Sequence, residues 1–154
     1  MNPANKVSIG LAVAALTIGT VYVLKMKRLA EELETVTKVN VHKITLAGIE
    51  LRVDVLMKNP SGGSLKVKFP FVKMFYNKSV FATSEVRDQD YTIPSYGQKQ
   101  LDPIYVSLPF FQLATTAPEM LKDYRKNRTI EIMTRTVTTI NNKIPYTKVE
   151  SMKL

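Results

Sequence analysis

From Ile49 to Lys58 the chain reads IELRVDVLMK, with apolar side chains at every second position. Leu51, Val53, Val55 and Met57 fall on one face and Glu50, Arg52, Asp54 and Lys58 on the other, with Leu56 the one apolar residue out of phase. That period of two is the pattern of a half-buried strand. The preceding run, Val39 to Leu46, joins it through Ala47-Gly48, a tight connection that predicts a hairpin or bend. The strand then stops at Asn59, Pro60, Ser61, Gly62 and Gly63. Proline cannot donate to a ladder, and it pushes the asparagine before it toward extended geometry. The two glycines are expected to supply the dihedrals of a sharp corner where the chain crosses between sheets.

Similar short runs follow. Leu65, Val67 and Phe69 alternate with Lys66 and Lys68, and Phe71 to Tyr76, Ser79 to Val86 and Tyr91 to Ile93 predict further strands. Turns are expected at Asn77-Lys78 and Asp88-Gln89-Asp90. Gln100 to Leu108 contains Pro103, which suits an edge or a bulge. Thr129 to Ile140 and Ile144 to Glu150 close the chain through Asn141-Asn142-Lys143, where asparagine tolerates the left-handed backbone of a tight turn. One short α-helix interrupts the series in TTAPEMLKDYRKN. Thr116 and Glu119 have the spacing of a capping box, Pro118 lies in the first turn, Asn127 is a stop, and Leu113, Ala117, Leu121 and Tyr124 form the expected buried stripe. Eight or nine short strands with one helix predict a mainly β protein, an antiparallel β-sandwich over residues 39–154.

The amino-terminal pattern is different in kind. After a short tail, 1–6, the run from Val7 to Leu24 is uncharged and about long enough, at roughly 1.5 Å per residue, to cross bilayer hydrocarbon as a helix. Lys6 flanks it on one side and Lys25, Lys27 and Arg28 on the other, with Tyr22 at the second interface. A cleavable signal peptide is the competing reading. The length of the run and its ending in KMKR, in place of small residues, favour an uncleaved single-pass anchor. The heavier basic flank after the helix favours keeping the following domain on the cytoplasmic, interior side. Small residues four apart, at Gly10 and Ala14 and at Ala15 and Gly19, suit close helix approach or the plain composition of a short anchor. Residues 25–38 are expected to be a basic flank and a helical or extended stalk, holding the domain a nanometre or so off the membrane.

Composition narrows the chemistry. The 154 residues contain no cysteine and one histidine, His42, so disulfides, thiolate metal sites, cysteine nucleophiles and histidine clusters are excluded. Ser61-Gly62-Gly63-Ser64 leads into a strand and lacks the lysine and helix of a phosphate loop. Glu85, Asp88 and Asp90 could converge on a hard cation, or form a solvated turn with Arg87 among them. No catalytic, cofactor or metal site is expected. The net charge of +9 favours anionic partners, and from Lys38 onward there are 18 Lys or Arg against 10 Asp or Glu. Lys66, Lys68, Lys73 and Lys78 are close in sequence, as are Lys122, Arg125, Lys126 and Arg128. Strand-edge lysines also deter aggregation, and cations at a helix end answer its dipole. The functional reading of these eight is contact with anionic lipid headgroups, or with nucleic acid, for which no motif is present.

The order of ITLAGIELRVDVLMKNPSGGSLKVKFPFVKMFYNKSVFATSE and YTIPSYGQKQLDPIYVSL resembles the late embryogenesis abundant type 2 domain, also called the water stress and hypersensitive response (WHy) domain. The resemblance rests on Asn59-Pro60 ending a strand, on Ile93-Pro94, and on Gly97 before an apolar strand, and it covers about residues 39–150. The chain departs from the family in having Asn-Pro-Ser for Asn-Pro-Asn and no tryptophan. What the resemblance implies is an immunoglobulin or fibronectin III-like sandwich without enzymatic activity, in a family associated with stress protection, some of whose members are membrane-anchored. The expected function is protection or interaction at a membrane surface. The alternative is a structural component of a larger membrane-associated assembly, such as a cell-envelope complex or a lipid-containing virion, with the sandwich against a protein layer.

Overall fold

The computed structural model describes residues 24, 25 and 27–154. Helical turns over 27–32 lead into β1 (Glu34–Ile44) and β2 (Gly48–Lys58), then β3 (Leu65–Lys68), β4 (Phe71–Tyr76), β5 (Ser79–Thr83), β6 (Asp90–Ile93), β7 (Gln98–Gln100) and β8 (Ile104–Pro109). Helices α1 (Phe110–Thr116) and α2 (Pro118–Arg125) precede β9 (Glu131–Ile140) and β10 (Ile144–Lys153). In one sheet β2 is central, antiparallel to β1 on one side and to β7 and β8 on the other. Pro103 lies in the gap between β7 and β8, where its missing N–H breaks no ladder bond. In the second sheet β9 is central, with β10 on one flank and β3 and β4 on the other, β6 lying beyond β3 and β5 beyond β4.

The sheets enclose one apolar core. Leu51, Val53, Val55 and Met57 point inward from β2, as the alternation requires, and share that core with Leu65, Val72, Met74, Ile132 and Ile140 of the other sheet. Burying each such side chain is worth about 1.5–3 kcal/mol. Leu56 points outward, paired with Val36 of β1 and Gln100 of β7, which half-cover it.

Three expectations are corrected. The first strand begins at Glu34, not Val39, and Ala30, Leu33, Thr35 and Thr37 are already buried. The segment read as a stalk is therefore largely part of the domain. Threonine looks polar in a sequence, yet its branched carbons suit a strand, and here Thr37 Oγ1 meets Thr136 Oγ1 at 3.1 Å across the core while Tyr146 donates its hydroxyl to the Leu33 carbonyl at 3.1 Å. Second, the helical region is two helices. Thr116 caps nothing: its hydroxyl donates back to the Gln112 carbonyl inside α1, and Ala117 occupies the position before α2. Met120 takes the buried place expected of Tyr124, which is 54% exposed. Pro118 and Asn127 do stand where expected, Asn127 with φ 50° just past the helix end. Third, β5 stops at Thr83, short of Val86.

Lys6, Tyr22 and the run from Val7 to Leu24, apart from Leu24 itself, lie outside the described residues. Among the described residues no helix is long and apolar enough to cross a membrane.

Candidate functional site

The sandwich has two ends. The proximal end gathers helical residues 27–32, the start of β1, the end of β2 and the β9–β10 turn. At the distal end lie the β1–β2 and β4–β5 turns, α2 and the end of β10.

The Asn59–Gly63 corner is at the proximal end, where the chain passes from the first sheet to the second. Asn59 is 1% exposed. Its side-chain amide donates to the carbonyls of Gly63 at 2.7 Å and Pro94 at 3.0 Å, and its oxygen accepts from the backbone and hydroxyl of Ser61. The Asn59 N–H donates to the Gly97 carbonyl at 2.8 Å. Asn59-Pro60 and Ile93-Pro94 with Gly97, far apart in sequence, are thus one hydrogen-bonded unit. Gly62 and Gly63 lie in the corner without left-handed dihedrals, since no glycine has positive φ among the described residues. A Cβ at Gly62 would lie 2.8 Å from the hydroxyl of Tyr96, an exposed side chain with room to swing aside. Gly63 has ordinary room. The left-handed residues are asparagines and others: Asn77, Lys78, Tyr96, Asn127, Asn141 and Asn142.

The eight basic candidates do not form one face. Lys66 binds Asp90 at 2.7 Å, and Lys68 binds Asp88 at 2.9 Å and Asp90 at 3.7 Å. These pairs occupy two of the carboxylates considered for a cation, and the Lys66 hydrogen bond holds the Asp90 carboxyl below its ordinary range. Among the described residues no group of three acidic or histidine side chains could hold a metal ion. Arg87 lies over the Phe69 ring at 4.9 Å. Lys73 lies over Phe71 at 5.7 Å and faces Arg135, itself over Phe75 at 5.2 Å, on the outer face of the second sheet. Lys78 occupies the tight β4–β5 turn at the distal end with φ 70°. Lys122 binds Glu119 at 2.7 Å, and Arg128 binds Asp123 at 3.2 Å, whereas Arg125 and Lys126 form no salt bridge among the described residues. Of the cations next to the apolar run, Lys25, Lys27 and Arg28 are exposed, and Arg28 reaches Glu32 at 3.6 Å.

The distal end carries a feature that no single stretch of sequence announces. A cleft of about 390 Å³ opens between the sheets beside α2. Val41 and Ile44 of β1, Ile49 and Leu51 of β2, Met120 of α2 and Ile130 give it an apolar lining, with Tyr124, Asn127 and Arg128 as polar groups. A bulge at His42 shapes it. The β1–β2 register shifts between Val41 and Lys43, so Ile44, and not Lys43, follows Val41 on the inward face. Asp123 organises the rim by accepting from the Tyr76 hydroxyl and from Arg128 Nη1. The Tyr76 bond above all, helped by Arg128, holds the Asp123 carboxyl below its ordinary range, and the same bond pushes the Tyr76 hydroxyl up. The one sequence signal is the stretch VHKITLAGI, in which Ile44 and Leu46 fall out of phase with Val39 and Val41, and Val41, Ile44 and Leu46 remain exposed.

No family model and no curated protein matches the chain. Solved structures do. A crystal structure of a protein from Archaeoglobus fulgidus superimposes with a TM-score of 0.51 at 12% identity, over 79% of this chain and 97% of that one. The solution structure of a protein from Arabidopsis thaliana matches at 16% identity and a TM-score of 0.45, over 78% of this chain and 80% of its own. A solution structure described as that of a late embryogenesis abundant (LEA) protein matches at 14% identity and a TM-score of 0.45, covering 97% of this chain and 88% of that one. At 12% identity the Archaeoglobus fulgidus match is a likeness of fold alone.

Proposed function

We propose that this chain is a non-enzymatic, immunoglobulin-like sandwich of the LEA type 2 kind, anchored in a bilayer by residues 7–24 and acting through surface contacts. The observation that carries the reading is the burial of Ala30 and Leu33 in the domain core a few residues beyond the uncharged run. With so little intervening chain, a helix in the bilayer would seat the proximal end of the sandwich directly at the headgroups. That end offers them Lys25, Lys27 and Arg28, with the exposed ring of Tyr96 nearby. Protection of a membrane during drying is the role in keeping with this placement.

The test is flotation of the full chain with phosphatidylcholine vesicles, followed by alkaline carbonate extraction. The expected result is vesicle-bound protein that resists carbonate and that trypsin releases as an intact β domain. Recovery in the carbonate supernatant sinks the anchored reading. A second reading, a structural component of a membrane-associated assembly, draws support from the outer face of the second sheet. There Phe71 and Phe75 carry Lys73 and Arg135 on their rings, beside exposed Met133 and Val149. Native extraction separates the two: stoichiometric recovery with a fixed protein partner favours assembly, and recovery alone removes it.

A further inference from the structure

The geometry points to the distal cleft as a binding site for a single-chain anionic amphiphile, a fatty acid carboxylate being the simplest. Its volume of about 390 Å³ is within the roughly 300–1,000 Å³ of small-ligand sites. The inner wall is Leu51 and Leu108, neighbours of the buried core, whose backbones are already paired in the β2–β8 ladder. A peptide inserted there would bring N–H and C=O groups that meet no partner, at a cost of several kcal/mol by transfer estimates, whereas an acyl chain brings none. The thioether of Met120 can adapt its shape to a flexible chain.

The polar groups of the cleft select the head. Arg128 is the cation in its lining, and one of its guanidinium nitrogens binds Asp123 while the side chain stays 65% exposed, leaving other donors of the fork to a second carboxylate. Residues 119–128 contain four cations against Glu119 and Asp123, a net positive charge that complements an anion. Tyr124 adds a half-exposed ring to the lining. Along β1 the cleft residues Val41 and Ile44 stand seven and ten residues beyond Glu34, about 23–33 Å from the proximal end and out of reach of a lipid still seated in a bilayer there. The occupant is therefore a monomeric amphiphile taken from solution, and the inference holds whether or not residues 7–24 form an anchor.

The full chain, reconstituted in phosphatidylcholine nanodiscs, is titrated with 11-(dansylamino)undecanoate, with empty discs as the partition background. Saturable, blue-shifted emission at one probe per chain is expected, displaced by dodecanoate. Ile44→Glu and Val41→Glu, both at side chains half exposed on the rim, each weaken binding roughly tenfold or more by placing a charge beside the chain. Arg128→Gln weakens dodecanoate several-fold and leaves displacement by uncharged dodecan-1-ol unchanged. The inference is overturned by probe emission no different from empty discs, by both glutamate variants binding as the parent does, or by Arg128→Gln weakening acid and alcohol alike. A concentration-dependent dimer in sedimentation that Ile44→Glu dissolves also overturns it, since a second copy would then cover the cleft.

Discussion

The two ends of the sandwich are finished by different physics. At the proximal end a buried asparagine satisfies its neighbours' backbone groups and leaves the corner closed by hydrogen bonds. At the distal end a bulge and a short helix surround apolar side chains without filling the space between them. A hydrogen-bonded network is intolerant of exchange, because each removed partner strands a buried group. An open apolar cleft tolerates substitution at its rim and has room for something else. One end therefore fixes the fold, and the other is where a function can be added to it.

The sharpest break in this contrast is Asn59→Asp. It removes both N–H donors and sets a carboxylate against the Gly63 and Pro94 carbonyls, which should cost about 3 kcal/mol or more, read from the midpoint of urea unfolding. At the distal end Tyr76 donates to Asp123, and Tyr76→Phe should lower Tm by a few degrees while leaving the Asn59 side-chain amide resonances unmoved. Acid should weaken this bond as well, alongside the Lys66–Asp90 pair, whose carboxyl is likewise held below its ordinary range. The Asp123 carboxyl is held below its ordinary value of 3.8, so its contribution is full above that pH and is lost as pH falls through the depressed value. Arg128 side-chain resonances should shift in that acid range, with those of Asn59 unchanged. Loss of the Asn59 resonances first would reverse the assignment of rigid and yielding ends.

The smaller effects sharpen the comparison. Lys78 has a φ of 70°, a left-handed backbone that costs a side chain about 1 kcal/mol, so Lys78→Gly should raise stability by about that amount in the same unfolding experiment. It should not alter amphiphile binding, since Lys78 does not line the cleft. Ile44→Ser, at an exposed rim position, should change stability by less than about 0.5 kcal/mol. A larger loss would mean that the rim is part of the core.

The sequence disclosed the elements whose physics is local. The alternation in β2 identified its buried face residue by residue, and Asn141-Asn142 marked a turn by a left-handed backbone that asparagine tolerates well, as their φ values of 50° and 56° bear out. Legibility ended where a residue's role depends on a distant partner. Thr35 and Thr37 looked like stalk because only the opposite sheet makes threonine an interior residue. Thr116 had the spacing of a cap, but the preceding turn competed for its hydroxyl and won. The charge clusters at Lys66 and Lys68 were visible, and the carboxylates that neutralise them, some twenty residues away, were not assigned to them. The cleft was the least legible feature, since its walls come from five separate stretches of chain and its shape depends on one inserted residue at His42.

The direct passage from buried Leu33 into β1 has a mechanical consequence. Tension applied through residues 27–33 would run along the strand axis and load the ten β1–β2 register pairs together, in shear, where a perpendicular pull would open them one at a time. If the preceding segment is held in a membrane that bends or flows, the first strand is a stiff tether, and the strain it carries is delivered along β1 to the bulge that shapes the cleft at its far end.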